Sequence, residues 1–148
     1  MKILITGSSG FIGQYVARNL SKEKIVLLTS KSSNKIKKKK FIYKNYDLKK
    51  GFIPKLECDI LIHAAGITPQ KKYRHLEYKK INYNGLKNIL GKIKIKKKLI
   101  FLSTTDIYKN KFTKEYAKEN TKVNFSELSS YAKSKYLCEE YLKDLDIK

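Results

Sequence analysis

A tyrosine four residues ahead of a lysine, Tyr131 and Lys135, is the pair in this chain with the most direct chemical use. On a helix that spacing puts both side chains on one face, where an ammonium could favour a phenolate and let the tyrosine exchange a proton with a substrate hydroxyl. Working near neutrality would need a shift of about 3 units from tyrosine's usual 10, or roughly 4 kcal/mol of preference for the phenolate. Spacing alone does not select this pair. With 11 tyrosines, and lysine at 32 of 148 positions, roughly two or three Tyr-x-x-x-Lys pairs arise by chance. Three occur: Tyr46/Lys50, Tyr83/Lys87 and Tyr131/Lys135. Only the last follows a strand-like run, Leu99 to Leu102, lies 27 residues beyond a hydroxyl at Thr104, and opens a helical pattern from Ser129 to about Leu145.

Such a site needs a reactive partner, and the N-terminus suggests one. In MKILITGSSGFIG a short apolar run, Ile3 to Ile5, ends at Thr6, and glycines follow at 7, 10 and 13 before a helical pattern begins. With seven glycines in the chain, this spacing would arise by chance in roughly one or two chains per hundred. Gly7 permits a tight turn, Gly10 lets a pyrophosphate approach the backbone, and Gly13 lets the helix pack on the strand it has left. Phe11 and Ile12 open that helix, whose bare N-terminal amides would face phosphates. The motif TGxxGFIG resembles the short-chain dehydrogenase/reductase superfamily, and within it the extended branch, the NAD(P)-dependent epimerase/dehydratase family.

The resemblance implies an α/β fold: a Rossmann-type doubly wound parallel sheet of strand order 3-2-1-4-5, cut off before a sixth strand. The expected strands are Ile3 to Ile5, Ile25 to Leu28, Phe41 to Tyr43, Asp59 to His63 and Leu99 to Leu102. Helices are expected from Phe11 to about Ser21, with Phe11, Ile12, Tyr15, Val16 and Leu20 covering the sheet, and from about Lys72 to Ile93, with Leu76, Ile81, Leu86, Ile89 and Leu90 as its core stripe. Eleven residues between Thr29 and Phe41 suit a loop or irregular turn more than a full crossover helix.

By resemblance, Asp47 and Leu48 take the adenine, Ala64, Ala65 and Gly66 let the cofactor lie against the backbone, and Asn82 in INYNGLKNIL orders the active-site water and backbone network. Thr104, second in the family's S-[ST]-x-x-[VI]-Y pattern, supplies the catalytic hydroxyl. Tyr131 is the acid/base, and Tyr131 and Lys135 both contact the cofactor, Lys135 holding the nicotinamide ribose. Dehydratases of the family follow the hydroxyl with Asp-Glu, whereas Thr105 and Asp106 stand here, which argues against dehydration. His63 matches a residue that packs beside the site.

An NAD-preferring site places an acid at the end of the second strand to bind the ribose 2′-hydroxyl. Thr29, Ser30 and Lys31 stand there instead. Hydroxyls and a cation suit a 2′-phosphate, so NADP is expected over NAD. A nucleotide sugar is the family's default substrate, and the helices around Asn82 and after Tyr131 resemble the pair through which members form homodimers.

The length suits one domain, residues 1–148. The resemblance covers nearly all of it but about half of a typical family member, so the C-terminal substrate lobe is expected to be absent. Two other readings stay open: a dinucleotide-binding remnant without turnover, and a basic nucleic-acid-interacting protein on the same fold. Net charge is +21, yet only Arg18 and Arg74 among 34 basic residues are arginine, whereas base and phosphate readers lean on the arginine fork. Specific nucleic-acid binding is therefore not expected. Neither is a membrane partner, for want of a long apolar run. Cys58 and Cys138 lack metal-ligand spacing and read as core fillers in a reduced, cytoplasmic protein.

Overall fold

The computed structural model describes residues 1–20, 24–29, 41–70, 73–108, 118 and 120–145. Its centre is β1 (Lys2–Thr6), in which Ile3, Leu4 and Ile5 are all buried, as a strand covered on both faces requires. β2 (Lys24–Thr29) lies parallel to one side of it with Ile3 opposite Ile25, and β3 (Phe41–Asn45) continues outward with Val26 opposite Ile42. On the other side β4 (Leu56–His63) pairs Thr6 with His63, and β5 (Ile93–Phe101) closes the sheet. The order is β3-β2-β1-β4-β5, all parallel, as the sequence predicts.

The first helix, α1 (Phe11–Asn19), departs from its expected face. Phe11 is 91% exposed, Ile12 48% and Tyr15 66%. Gly13 and Ala17 are buried against the sheet instead, flanked by Val16 and Leu20. Small residues win the contact because Gly13 must sit against the glycine loop, which rotates the larger apolar side chains outward.

The long helix expected from about Lys72 to Ile93 is three consecutive pieces. α2 (His75–Tyr78) runs into a π-helical turn (Lys79–Tyr83) and then α3 (Asn84–Leu90). Ile81, Leu86 and Ile89 are buried as expected, but Leu76 is 76% exposed. Gly91 caps the end, its amide donating to the Lys87 carbonyl at 2.9 Å. Ile93 therefore belongs to β5, which begins six residues earlier than the apolar run suggests. The lysines that obscured it, Lys94, Lys96, Lys97 and Lys98, are exposed, as suits an outer strand.

α4 (Ser130–Lys143) starts where the Ser129 hydroxyl accepts the Ala132 amide at 3.2 Å. Cys58 and Cys138 are both buried, and burial pushes their thiols up to about 11 and about 12. Two apolar clusters fill the sides of the sheet, one under α1 and one under α3. The segment between β2 and β3, with Ser30 and Lys31, lies outside the described residues, and of Thr29 only the backbone, as the last residue of β2, is described.

Candidate functional site

The carboxyl ends of β1, β4 and β5 converge, and each strand delivers one part of the site. β1 runs into the glycine loop. Gly7 turns there with φ +68°, and the Gly10 amide closes the turn on the Gly7 carbonyl at 2.9 Å. A Cβ at Gly13 would stand 2.3 Å from that same carbonyl oxygen, so loop and helix meet backbone to backbone. α1 has no side-chain cap at Gly10. The first-turn amides of Phe11, Ile12 and Gly13 are those a helix leaves without internal acceptors, and Phe11 and Ile12 are exposed beside them. Ser8 anchors the loop to β2, its hydroxyl donating to the Leu28 carbonyl at 2.9 Å.

A groove of about 500 Å³ opens beside this loop. Gly7, Gly10, Asp47, Leu48, Ala64, Ala65 and Gly66, from three separate stretches of sequence, line it together. Asp47 also holds its own turn: its Oδ1 accepts the Lys49 and Lys50 amides at 2.9 and 3.2 Å, and its backbone pairs with Phe52 in both directions. The groove also takes in Tyr46, whose phenol accepts the Gly7 amide at 3.0 Å and is pushed up to about 12 by burial. In the sequence Tyr46 stands out only as half of a chance Tyr-x-x-x-Lys pair.

Asn82 is buried in the π-helical turn, and its side chain makes three bonds. Oδ1 accepts the Ile67 amide at 2.8 Å, while Nδ2 donates to the Ile67 carbonyl at 3.1 Å and to Ser134 Oγ at 3.0 Å. Ile67 lines the groove and Ser134 sits on α4, so Asn82 ties the groove wall to the helix that carries Tyr131 and Lys135. Its own carbonyl accepts from Cys138 Sγ at 3.6 Å. Widened turns of this kind recur at functional sites.

Thr104 follows β5 with its side chain beside the Tyr131 phenol, and its Oγ1 accepts the Asp106 amide at 3.2 Å. Burial raises the Tyr131 phenol above tyrosine's usual range, and the neighbouring Thr104 hydroxyl partly opposes that rise. Tyr78, itself buried, packs edge-on to the Tyr131 ring at 6.1 Å. The expected action of Lys135 on this phenol is not what the geometry gives. Lys135 Nζ donates to the Leu102 carbonyl at 2.6 Å and lies 4.5 Å from the centre of the Phe101 ring. Burial lowers its affinity for a proton, and a main-chain carbonyl at the end of β5 is the acceptor nearest to hand. One helix face thus carries both groups, but the ammonium turns to the strand.

His63 is fully enclosed, its Nδ1 bonded to Thr6 Oγ1 at 2.8 Å and its ring stacked on Phe101 at 5.9 Å. Burial, helped by the Lys135 charge, pulls it down to about 3. The unfolded chain therefore binds a proton at His63 between about pH 6.5 and about 3 that the folded chain refuses, so stability falls as pH drops through that window. Going from pH 7 to pH 5 should cost about 2 kcal/mol through this residue. Urea unfolding at both pH values checks it: the loss should shrink in His63→Gln, and an equal loss in the variant would assign it to other groups. His75, for which the sequence offers no partner, bonds through Nδ1 to Ser130 Oγ at the start of α4.

Among the described residues no cluster of His, Cys, Asp and Glu could hold a metal ion, and no helix is long and apolar enough to cross a membrane.

The fold is shared with solved enzyme structures. A UDP-galactose 4-epimerase superposes with a TM-score of 0.77 at 19% identity, over 95% of this chain and 50% of its own. The Bordetella bronchiseptica enzyme WbmH, solved in complex with NAD+, gives 0.78 at 17% identity over 99% and 53%. The UDP-Glc/GlcNAc 4-epimerase of Campylobacter jejuni gives 0.76 at 23% identity over 97% and 48%. The chain thus spans about half the length of the solved structures it matches. None of the curated protein sequences compared matches it. The model of the NAD dependent epimerase/dehydratase family matches residues 3–146, nearly the whole chain. A match that runs from one end of the sheet-bearing chain to the other shows that this chain belongs to the NAD dependent epimerase/dehydratase family.

Proposed function

We propose that the chain binds a nicotinamide dinucleotide in the groove beside the glycine loop and is the cofactor-binding half of an oxidoreductase or epimerase acting on a nucleotide sugar. The observation that carries this is the convergence of Gly7, Gly10, Asp47, Leu48 and Ala64 to Gly66 on one groove of about 500 Å³. The cradle fits the group: contacts of 2.3 to 2.6 Å for a Cβ at Gly13 or Gly7 leave backbone where side chains would crowd a diphosphate. The Phe11, Ile12 and Gly13 amides would meet the phosphates, Asp47 and Leu48 the adenine, and Ala64 to Gly66 the middle of the molecule. The dinucleotide, when bound, supplies hydride exchange at a substrate carbon. Tyr131 would move the accompanying proton, the Thr104 hydroxyl beside it would donate to the substrate oxygen, Asn82 fixes α4 against the groove wall through Ser134 and Ile67, and Lys135 would hold the nicotinamide ribose.

A second reading, binding without turnover, is favoured by one observation: the Lys135 ammonium rests on the Leu102 carbonyl. A homodimer through α3 and α4 is proposed as well, on the outer surface where Lys87 lies over the Tyr83 and Tyr141 rings at 5.6 and 5.2 Å.

NADP is the proposed cofactor because the sequence at the end of β2 and just beyond it has hydroxyls and a cation, Thr29, Ser30 and Lys31, in place of a carboxylate. Fluorescence titration should find NADPH bound about tenfold more tightly than NADH, the size of one charge-assisted contact to a phosphate. Lys31→Ala should remove most of that difference. Salt must be held at a moderate level, because a chain of net charge +21 attracts any additional phosphate. Equal affinities for the two cofactors would defeat the assignment of NADP.

A further inference from the structure

Tyr46 is a buried polar group at the groove to which the dinucleotide reading gives no part. It is 5% exposed, its ring packs in the cluster that holds Leu4, Leu28 and Ala65, and it lines the groove immediately before Asp47. A phenylalanine would fill the same space. The hydroxyl must therefore be explained by what it bonds.

Among the described residues the phenol oxygen has one hydrogen bond, the one it accepts from the Gly7 amide at 3.0 Å, and its own proton is given to none of them. Burying a hydroxyl donor without an acceptor is costly, so a fold that keeps one at a groove wall gains by spending it on what enters the groove. Accepting from an amide also polarises the O–H and strengthens it as a donor. The phenol's high affinity for its proton keeps it a donor throughout the neutral range.

We infer that Tyr46 is a further cofactor-binding residue, whose hydroxyl fixes the glycine loop through Gly7 and donates its proton to an oxygen of the dinucleotide's adenosine diphosphate half. That acceptor is a ribose hydroxyl or a phosphate oxygen, both of which the groove beside Gly7 would present. The inference rests on the dinucleotide reading. It also explains why the residue before Asp47 is large: the side chain reaches back across the sheet end from the β3 side to the β1 loop, coupling the adenine-side wall to the phosphate-side loop.

The test is binding of ADP and of adenosine to the wild-type chain and to Tyr46→Phe, with melting temperatures measured alongside. Tyr46→Phe should bind ADP about tenfold more weakly, the loss expected for one hydrogen bond to a charged or strongly polar acceptor. An equal loss with adenosine places the acceptor on the ribose, and a loss confined to ADP places it on the phosphates. A purely structural hydroxyl would lower the melting temperature without this ligand dependence. A second measurement needs no variant: in wild-type protein carrying ring-carbon-labelled tyrosine, the Tyr46 signal, assigned by its proximity to the Gly7 amide proton, should shift when ADP is added. Undiminished ADP affinity in Tyr46→Phe, or an unshifted Tyr46 signal in wild-type protein saturated with ADP, would overturn the inference and leave the dinucleotide reading standing. Failure of the wild-type chain to bind any dinucleotide or ADP would overturn both.

Discussion

Gly7→Ala should unfold this domain about 10 °C earlier than the parent chain, the effect of about 3 kcal/mol at this length. Two separate costs add up to that figure. The residue sits at φ +68°, where an L side chain costs about 1–2 kcal/mol. Its Cβ would also come within 2.6 Å of the Ala64 carbonyl oxygen and 2.7 Å of the Ala65 nitrogen. Neither atom can step aside cheaply, because Thr6 and His63, the residues just before, are paired in the sheet, and forcing an atom into such packing costs about 1–3 kcal/mol more. Gly51→Ala separates the two contributions. Gly51 has nearly the same φ, +70°, but a Cβ there meets nothing within 4 Å, so it should show the backbone cost of about 1–2 kcal/mol alone. Thermal melts of both variants check the account, and equal losses would mean that the contact with Ala64 contributes nothing. Any folded Gly7→Ala protein should also bind dinucleotide poorly, since the added methyl displaces the loop from the groove wall that it helps to form.

If the chain exchanges hydride as proposed, Tyr131→Phe should reduce that exchange by about two to four orders of magnitude, the usual contribution of a positioned acid or base. Dinucleotide affinity should stay close to that of the parent, because Tyr131 is not among the residues that line the groove beside the glycine loop. Direction with pH follows from the site itself. Burial raises the Tyr131 phenol, so the protonated form dominates through neutrality, and the direction that takes a proton from substrate should quicken by about tenfold per pH unit until the phenol titrates. Single-turnover absorbance of the nicotinamide with a panel of nucleotide sugars reads both effects. Full activity in Tyr131→Phe, or a rate independent of pH, would show that another group moves the proton.

How much of this was legible in the sequence differs from part to part. The parallel sheet was, because β1 and β2 are unbroken apolar runs and the glycines mark the first crossover. β5 was harder: its outer edge tolerates lysine at Lys94, Lys96, Lys97 and Lys98, four of the strand's first six residues, so only its end stands out as an apolar run. The orientation of α1 is not legible in the sequence, since Phe11, Ile12 and Tyr15 have helical spacing while the contact itself selects for small size at Gly13 and Ala17. The groove-lining set Gly7, Gly10, Asp47, Leu48 and Ala64 to Gly66 was found through motif order. Tyr46 and Ser134 were not, because their roles depend on bonds to Gly7 and Asn82, 39 and 52 residues away in the chain. The direction of Lys135 was equally hidden. Sequence spacing fixes the helix face, whereas the choice between the Tyr131 phenol and the Leu102 carbonyl is made by where β5 ends.

The central claim is that residues 1–148 carry a working dinucleotide groove. Its most direct measurement is an amide nitrogen–proton spectrum of this chain titrated with NADPH at moderate salt. The account predicts saturable shifts at Gly7, Phe11, Ile12, Asp47, Leu48 and Ala64 to Gly66, with Lys94 to Lys98 on β5 unaffected. Shifts confined to those β5 lysines, or spread without saturation over the basic surface, would show charge-driven sticking and contradict it.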